Sequence, residues 1–289
     1  MYLPDFDYHA PTTIAEIIVL LSRLGPKAKI ISGGTDLMIK MKHGLLAPEA
    51  LVSLKKLDQL KTIEHRPGVG VVIGARATHS DLINSTTLNE KYLSISETAH
   101  HMAANQVRNI GTIGGNICNA VPSADLPPIL IALGARIKLV GTDGERTVSL
   151  EEFFVGPGKS VLGQNELLTE IIIPDQATTG SHYIKFSLRR SGALAVVGVA
   201  VAVTVAGDTI NDARIALGAV APTPMRALKA EEFIKGKKVN DDLLAEAGVI
   251  ASQECKPISD IRGSEEYRRD LVRVFTKRAL RKAINEGHV

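Results

Sequence analysis

The sequence has no tryptophan, five tyrosines and six phenylalanines. A platform for single-stranded nucleic acid needs stacking rings, so that class is excluded. There are two cysteines, Cys118 and Cys255. They form no Cys-x-x-Cys pair and no Cys/His ladder, so no zinc or iron–sulfur site is expected in this chain. A disulfide between them stays open. Two cysteines in 289 residues fit a reducing compartment, the cytoplasm, better than secretion. Gly, Pro or charge interrupts every apolar run before ~18 residues, so no membrane span is expected. The stretch Met1 to Asp7 has no basic segment leading into an apolar core, and no signal peptide is expected. The net charge of +3 is too small to imply nucleic acid.

What is present fits a globular chain, with 45% apolar and 22% charged residues. Thr13-Ile14-Ala15-Glu16 is a capping-box pattern, and Ile14, Ile17, Ile18, Leu21 and Leu24 continue it to Gly25-Pro26 as an amphipathic helix. Ala28–Ser32 and Leu51–Leu54 read as strands, and Leu37–Met41 as a short helix. Thr62–His65 with Val69–Ile73, and Arg136–Val140 with Thr147–Leu150, read as hairpins. Thr78 caps a short helix, and Leu93–Met102 and Asp125–Leu133 read as helices. Ile110–Asn119 is rich in Gly and Asn and predicts strand ends and tight turns. Leu167–Ile173 is a strand ended by Pro174. Beyond a polar linker at Asp175–Ser181 come strands at Tyr183–Leu188, Val196–Val205 and Ile210–Leu217, then helices at Ala227–Ile234, Asp241–Ser252 and Glu265–Asn285. Mixed strands and short helices followed by strands and then helices predict an α+β fold. The expected units are 1–55, 56–176 and 177–289. Near the end, Arg262, Arg268, Arg269, Arg273, Lys277, Arg278, Arg281 and Lys282 interleave with Glu265, Glu266, Asp270 and Glu286. That pattern reads as a solvated helix face.

Two loops carry the chemistry. Ser32-Gly33-Gly34-Thr35-Asp36 follows a strand, and its glycines let backbone N–H groups converge with no Cβ in the way. Such a nest, with the Ser32 and Thr35 hydroxyls beside it, suits a phosphate. Thr112-Ile113-Gly114-Gly115-Asn116 has the same make-up, with Asn119, Ser123 and Asp125 close behind. Either loop alone reads more simply as a tight turn. Together they suit the two phosphates of a dinucleotide, and the turn reading stays equally open. Two similar patterns fail. Gly68-Val69-Gly70 with Gly74 has the wrong spacing for a dinucleotide fingerprint and lies in a hairpin. Gly158-Lys159-Ser160 resembles the end of a P-loop, but Phe153 stands where the first glycine belongs. His100 and His101 are adjacent, so they do not share a helix face, and packing at a helix end is the expected role.

Ala28–Leu37 resembles the first FAD loop of the medium subunits of carbon monoxide dehydrogenase, xanthine dehydrogenase and related molybdenum hydroxylases. Asn109–Ile117 followed by Pro122–Pro127 is similar to the second loop, Phe153–Lys159 to a third stretch, and Lys185–Arg190 to the start of the C-terminal domain. The order and spacing match along the whole chain. The resemblance implies a vanillyl-alcohol-oxidase-type FAD-binding fold of two subdomains plus a C-terminal sheet-and-helix domain. It implies that Lys29, Ile30, Ile31, Ser32, Gly33, Gly34, Thr35, Asp36 and Leu37 wrap the diphosphate and ribityl chain. Thr112, Gly114, Gly115, Asn116 and Asp125 would complete those contacts. Met102 would lie near the cofactor, Leu162 would pack by the flavin, and Lys185 would sit at its pyrimidine edge, where a cation suits the charge of reduced flavin. No catalytic residue and no metal ligand is expected here.

The same resemblance implies partners. A small subunit would carry [2Fe–2S] clusters and a large one the molybdopterin cofactor, in a dimer of heterotrimers. Electrons would pass through FAD to NAD⁺ or another acceptor. Ser191-Gly192-Ala193-Leu194 departs from the family, where an acidic or aromatic residue commonly stands near the flavin. Two cysteines cannot supply the [4Fe–4S] cluster of the hydroxybenzoyl-CoA branch. The alternatives are a self-contained flavin-dependent oxidoreductase and a non-catalytic nucleotide-binding protein.

Overall fold

The computed structural model describes residues 3–189 and 191–286. Met1, Tyr2, Arg190, residues 287–289 and the side chain of Glu286 lie outside the described residues. The chain builds three main sheets. Asp7–His9, Ala50–Ser53 and Ala28–Ile31 form a parallel sheet in that order. Its strands are joined by the helices Ile14–Leu24 and Leu37–Lys42. This unit therefore winds β-α-β-α-β, although later elements follow the segregated pattern read from the sequence. Asp7–His9 is too short and polar to show a strand period.

The first helix starts as expected. Thr13 accepts the Glu16 N–H at 3.2 Å. The Glu16 carboxylate, however, accepts from the Thr12 N–H at 2.7 Å, so the box closes one residue early. Ile17, Ile18 and Leu21 are buried and pack with Ala50, Val52 and Leu54.

The second sheet is antiparallel, in the order Ile63–Arg66, Gly70–Gly74, Glu166–Ile173, Arg136–Gly141, Gly144–Ser149. Ile171 sits between Ile73 and Ile137. The main core fills the space between this sheet and the helices Leu93–His100, Ile113–Cys118 and Leu126–Ala132.

The third sheet, Gly180–Phe186, Val197–Ala206, Thr209–Gly218 and Met225–Arg226, is also antiparallel. The period of two along its second strand explains how it joins the halves. Val197, Val199, Val201 and Val203 face the helices Leu228–Ile234, Asp241–Glu254 and Glu265–Glu286. Ala200 and Ala202 face the main core. Each buried valine contributes about 1.5–3 kcal/mol, and the small alanines let the sheet approach the main core closely.

The basic C-terminal helix departs from the solvated-face reading at one point. Arg268 is 1% exposed. It donates to the Val196 and Ala219 carbonyls at 3.1 Å each and to Asp260 at 2.6 Å. Its neighbours are ordinary surface charges, such as Arg269 paired with Glu265 at 2.7 Å. Arg268 faces inward because two strand-end carbonyls need donors there. Both cysteines are free thiols, which closes the disulfide question.

Candidate cofactor site

The loop Ser32–Asp36 leaves the end of a parallel strand and enters the helix Leu37–Lys42. Its two glycines have different reasons to be glycine. A Cβ on Gly33 would lie 1.9 Å from the Ile110 carbonyl oxygen. The residue is therefore fixed by the close approach of two backbones. Gly34 has φ +71°, in the left-handed region. Among the described residues, the N–H groups of Gly33, Gly34 and Thr35 donate to no protein acceptor. Three unpaired donors on consecutive residues form an anion nest.

The second Gly-Gly segment corrects the expectation of strand ends and tight turns. Ile113–Cys118 is a helix, with Thr112 as its N-cap. Its first donors are already paired. Ile113 N–H donates to Ala77 O at 2.9 Å, Gly114 N–H to Ala75 O at 3.0 Å, and Gly115 N–H to Thr112 Oγ1 at 3.2 Å. The two loops are thus not equivalent nests. A Cβ on Gly114 would lie 2.7 Å from the Ala75 carbonyl oxygen, whereas one on Gly115 would meet only Thr112 Oγ1, at 3.0 Å. Gly115 is the exposed glycine of the pair, and it faces the cavity. Next to it, Asn116 Oδ1 is buried with no hydrogen-bond partner among the described residues.

Between these segments lies a cavity of about 890 Å³. Every expected site residue except Lys185 lines it, from Lys29 to Leu37 through Met102, Thr112, Gly114, Gly115, Asn116 and Asp125 to Leu162. Gly192, Ala193 and Leu194 also line it, so the departure from the family pattern sits in the wall. The sequence reading missed Lys40, Ala75, His79 and Ala103. Lys40, on the helix Leu37–Lys42, donates to Asn119 Oδ1, just past the helix Ile113–Cys118, at 2.8 Å. Only the pairing of distant segments reveals these residues.

Lys185 is not on the cavity wall, nor on the surface. It is 10% exposed at the side chain and donates to Asp125 Oδ2 at 2.7 Å. Tyr183 donates to Asp125 Oδ1 at 3.0 Å. Burial pushes the Asp125 carboxyl up, while the Lys185 cation and the two hydrogen bonds pull it back. Burial and the Asp125 charge push the Tyr183 hydroxyl well up, so it stays a donor. Lys185 therefore acts on the cavity through Asp125.

His79 and His182 are buried histidines, each pushed down to about 4 chiefly by burial. Each ring binds its proton less readily folded than unfolded. Stability is then full above pH 6.5 and falls as the pH drops through that value towards 4. Urea titrations of the purified protein at pH 7.5 and 5.0 test this. A midpoint no lower at pH 5.0 would contradict it.

The rejected patterns are accounted for. Gly68-Val69-Gly70 lies at the turn between Ile63–Arg66 and Gly70–Gly74, and Gly158-Lys159-Ser160 at the turn of the small hairpin Phe154–Gly156/Lys159–Ser160. His100 ends its helix and His101 caps it.

A dinucleotide of FAD's size needs a long cavity, unpaired donors for a diphosphate and an open backbone face. The cavity, the Gly33–Thr35 donors and Gly115 supply them. The model of the FAD binding domain in molybdopterin dehydrogenase matches residues 4–176. The chain belongs to this family. The CO dehydrogenase flavoprotein C-terminal domain matches residues 182–283. The chain is 37% identical to the carbon monoxide dehydrogenase medium chain of Hydrogenophaga pseudoflava, over 98% of each. It is 34% identical to the glyceraldehyde dehydrogenase medium chain of Sulfolobus acidocaldarius, over 97% of this chain and 99% of that one. A solved structure of carbon monoxide dehydrogenase from H. pseudoflava matches with a TM-score of 0.95 at 36% identity, over 99% of each chain. The protein is thus an FAD-binding subunit of the molybdenum hydroxylase family, an oxidoreductase subunit with an α+β fold. Among the described residues, no helix is long and apolar enough to cross a membrane.

Proposed function

We propose that this chain is the flavin station of a heteromeric, cytoplasmic hydroxylase, assembled as a dimer of heterotrimers. A small subunit would deliver electrons from [2Fe–2S] clusters. A large subunit would oxidise the substrate at a molybdopterin cofactor. NAD⁺ or another acceptor would receive the electrons. The observation that carries the reading is the cavity whose wall combines the Gly33–Thr35 donors with the open face at Gly115. Relatives named for carbon monoxide and for glyceraldehyde match this chain end to end, which supports a substrate pocket on another subunit.

FAD, when bound, accepts and releases electrons one or two at a time. The residues of this chain bind it and tune it. Lys29–Leu37 wrap the diphosphate and ribityl chain, and Gly33, Gly34 and Thr35 donate to the diphosphate. Thr112, Gly114, Gly115, Asn116 and Asp125 complete those contacts. Met102 and Leu162 pack around the cofactor and exclude water. Lys185 offsets the charge of the Asp125 carboxylate on that side. The same reading divides the work between 1–55 and 56–176, which enclose the cofactor, and 177–289, which brings Lys185.

The test is purification of the chain with its partners from its host. One FAD per chain, a cysteine-rich small subunit and a large molybdenum subunit are expected, with substrate-dependent NADH formation if NAD⁺ is the acceptor. A colourless chain without partners would refute the proposal, and a flavin-bearing homo-oligomer that oxidises NADH would replace it with a self-contained oxidoreductase. Lys185→Ala strands the buried Asp125 carboxylate, and it is expected to lower both stability and the midpoint potential of the flavin that stays bound. Spectroelectrochemistry of the complex checks this, and an unchanged potential would remove Lys185 from the tuning role.

A further inference from the structure

The charged side chains of the cavity wall are unequally matched. Asp125 pairs with Lys185 at 2.7 Å and Glu166 with Arg146 at 2.6 Å. Lys40 lines the same wall and has no carboxylate partner among the described residues. Its ammonium donates instead to Asn119 Oδ1, at 2.8 Å. That acceptor is a neutral amide, so the charge of Lys40 is left unmatched. An ammonium also has more donors than the one that Asn119 takes. Lys29 is unpaired as well, but no side-chain hydrogen bond among the described residues fixes its direction. Asp36, the remaining carboxylate of the wall, pairs with neither lysine.

Helical spacing places the Lys40 cation. In the helix Leu37–Lys42, Leu37 and Lys40 lie three residues apart and share a face, and both line the cavity. Ile39 points elsewhere, 56% exposed, and does not line it. The Lys40 N–H donates to Asp36 O at 3.0 Å, which sets Lys40 one turn beyond the residue that follows the Gly33–Thr35 donors. The Asn119 N–H donates to Gly115 O at 3.0 Å, which sets Asn119 one turn beyond the open face of the second segment. Both segments thus lead, one turn on, to an end of the Lys40–Asn119 hydrogen bond. The nest offers backbone donors, which carry only partial charge. A diphosphate brings a full negative charge on each phosphate, and Lys40 is the oriented cation that can meet it.

We propose that Lys40 is a further cofactor-binding residue, its ammonium held by Asn119 and supplying the counter-charge to the diphosphate of FAD. This rests on the FAD reading above. The work is divided by type of group: Gly33, Gly34 and Thr35 give direction through their N–H groups, and Lys40 gives net charge.

The test uses the assembled complex stripped of FAD and titrated with FAD at low and high salt. Lys40 is exposed, so its substitution leaves the fold in place. In Lys40→Met the affinity should fall about tenfold at about 0.05 M salt, as for loss of a hydrogen bond to a charged group. The gap should narrow to about threefold at about 0.5 M, where exposed charges are screened. Lys40→Arg, which keeps the charge, should stay within about threefold of native at both. The midpoint potential of the bound FAD should be the same in Lys40→Met and native complexes, because the ribityl chain separates the diphosphate from the redox-active ring. Native affinity in Lys40→Met would overturn the proposal. A loss just as large at high salt, or one that Lys40→Arg does not restore, would make the side chain a packing element of the wall and overturn it too. A shifted potential would move the cation to the flavin half, with the same consequence. If the native complex binds no FAD, the FAD reading falls and this proposal with it.

Discussion

A Gly115→Val chain is expected to fold, assemble and carry no FAD. The helix Ile113–Cys118 takes a side chain at this position with a shift of a few tenths of an ångström in the capping hydroxyl, because the new Cβ meets only Thr112 Oγ1, at 3.0 Å. Gly is itself the poorest helix former after Pro, so a valine there adds little backbone cost. The two methyl groups instead project into the cavity, where the cofactor's backbone-facing atoms must lie. Gly33 and Gly114 behave differently. A Cβ on either would enter a neighbouring carbonyl, at 1.9 Å from Ile110 O and 2.7 Å from Ala75 O. Gly33→Ala and Gly114→Ala should therefore damage the fold as well as flavin content. Gly34→Val is expected to lose FAD too, with an added strain of about 1–2 kcal/mol from its left-handed backbone. Circular dichroism and flavin released per chain separate the cases. A Gly115→Val protein with near-native flavin would contradict the placement.

The largest expected stability effect lies far from the cavity, at Arg268. Arg268→Leu leaves the Val196 and Ala219 carbonyls without their donor and takes one donor from the Asp260 carboxylate, which Arg262 still serves. Leaving a buried acceptor unsatisfied costs about 1–3 kcal/mol, so two stranded carbonyls remove a large share of a domain's stability. Lysine is a poor substitute, since a single ammonium lacks the planar fork that serves two carbonyls and a carboxylate at once. The loss should appear as a lowered urea midpoint, and FAD release should follow it, because the strand that begins at Val197 also backs Lys185. The carboxyl of Asp260 is held well below the usual range, chiefly by Arg262 and then by Arg268. Its contribution is thus present above the ordinary carboxylate range and lost only in strong acid. An Arg268→Leu protein with a native midpoint would show that the buried network does no structural work.

Much of this was readable from the chain. Alternating Val and Ala at 197–203 and the cap at Thr13 carry local signals of period and of hydrogen bonding, and these marked the strands and helices. The first nest was legible because consecutive glycines after a strand have few other uses. The second was misread locally, because Gly-Gly-Asn has low helix propensity. The Thr112 cap and the carbonyls of Ala75 and Ala77 fix that helix, and those partners are distant in sequence. Arg268 read as a surface cation, and only the family resemblance singled out Lys185, for the same reason. Nothing in their own neighbourhoods announces Asp125, Val196 or Ala219. His79 was hidden inside a capping box formed by Thr78 and Asp81, which explained its neighbours and drew attention from its ring.

The central claim is that this chain holds FAD in the cavity between Gly33–Thr35 and Gly115. The most direct test is the amount of FAD released per chain from the native complex and from its Gly115→Val counterpart, purified side by side. The account predicts one FAD per native chain and essentially none in the folded variant. Equal flavin in both, or none in the native complex, would contradict it.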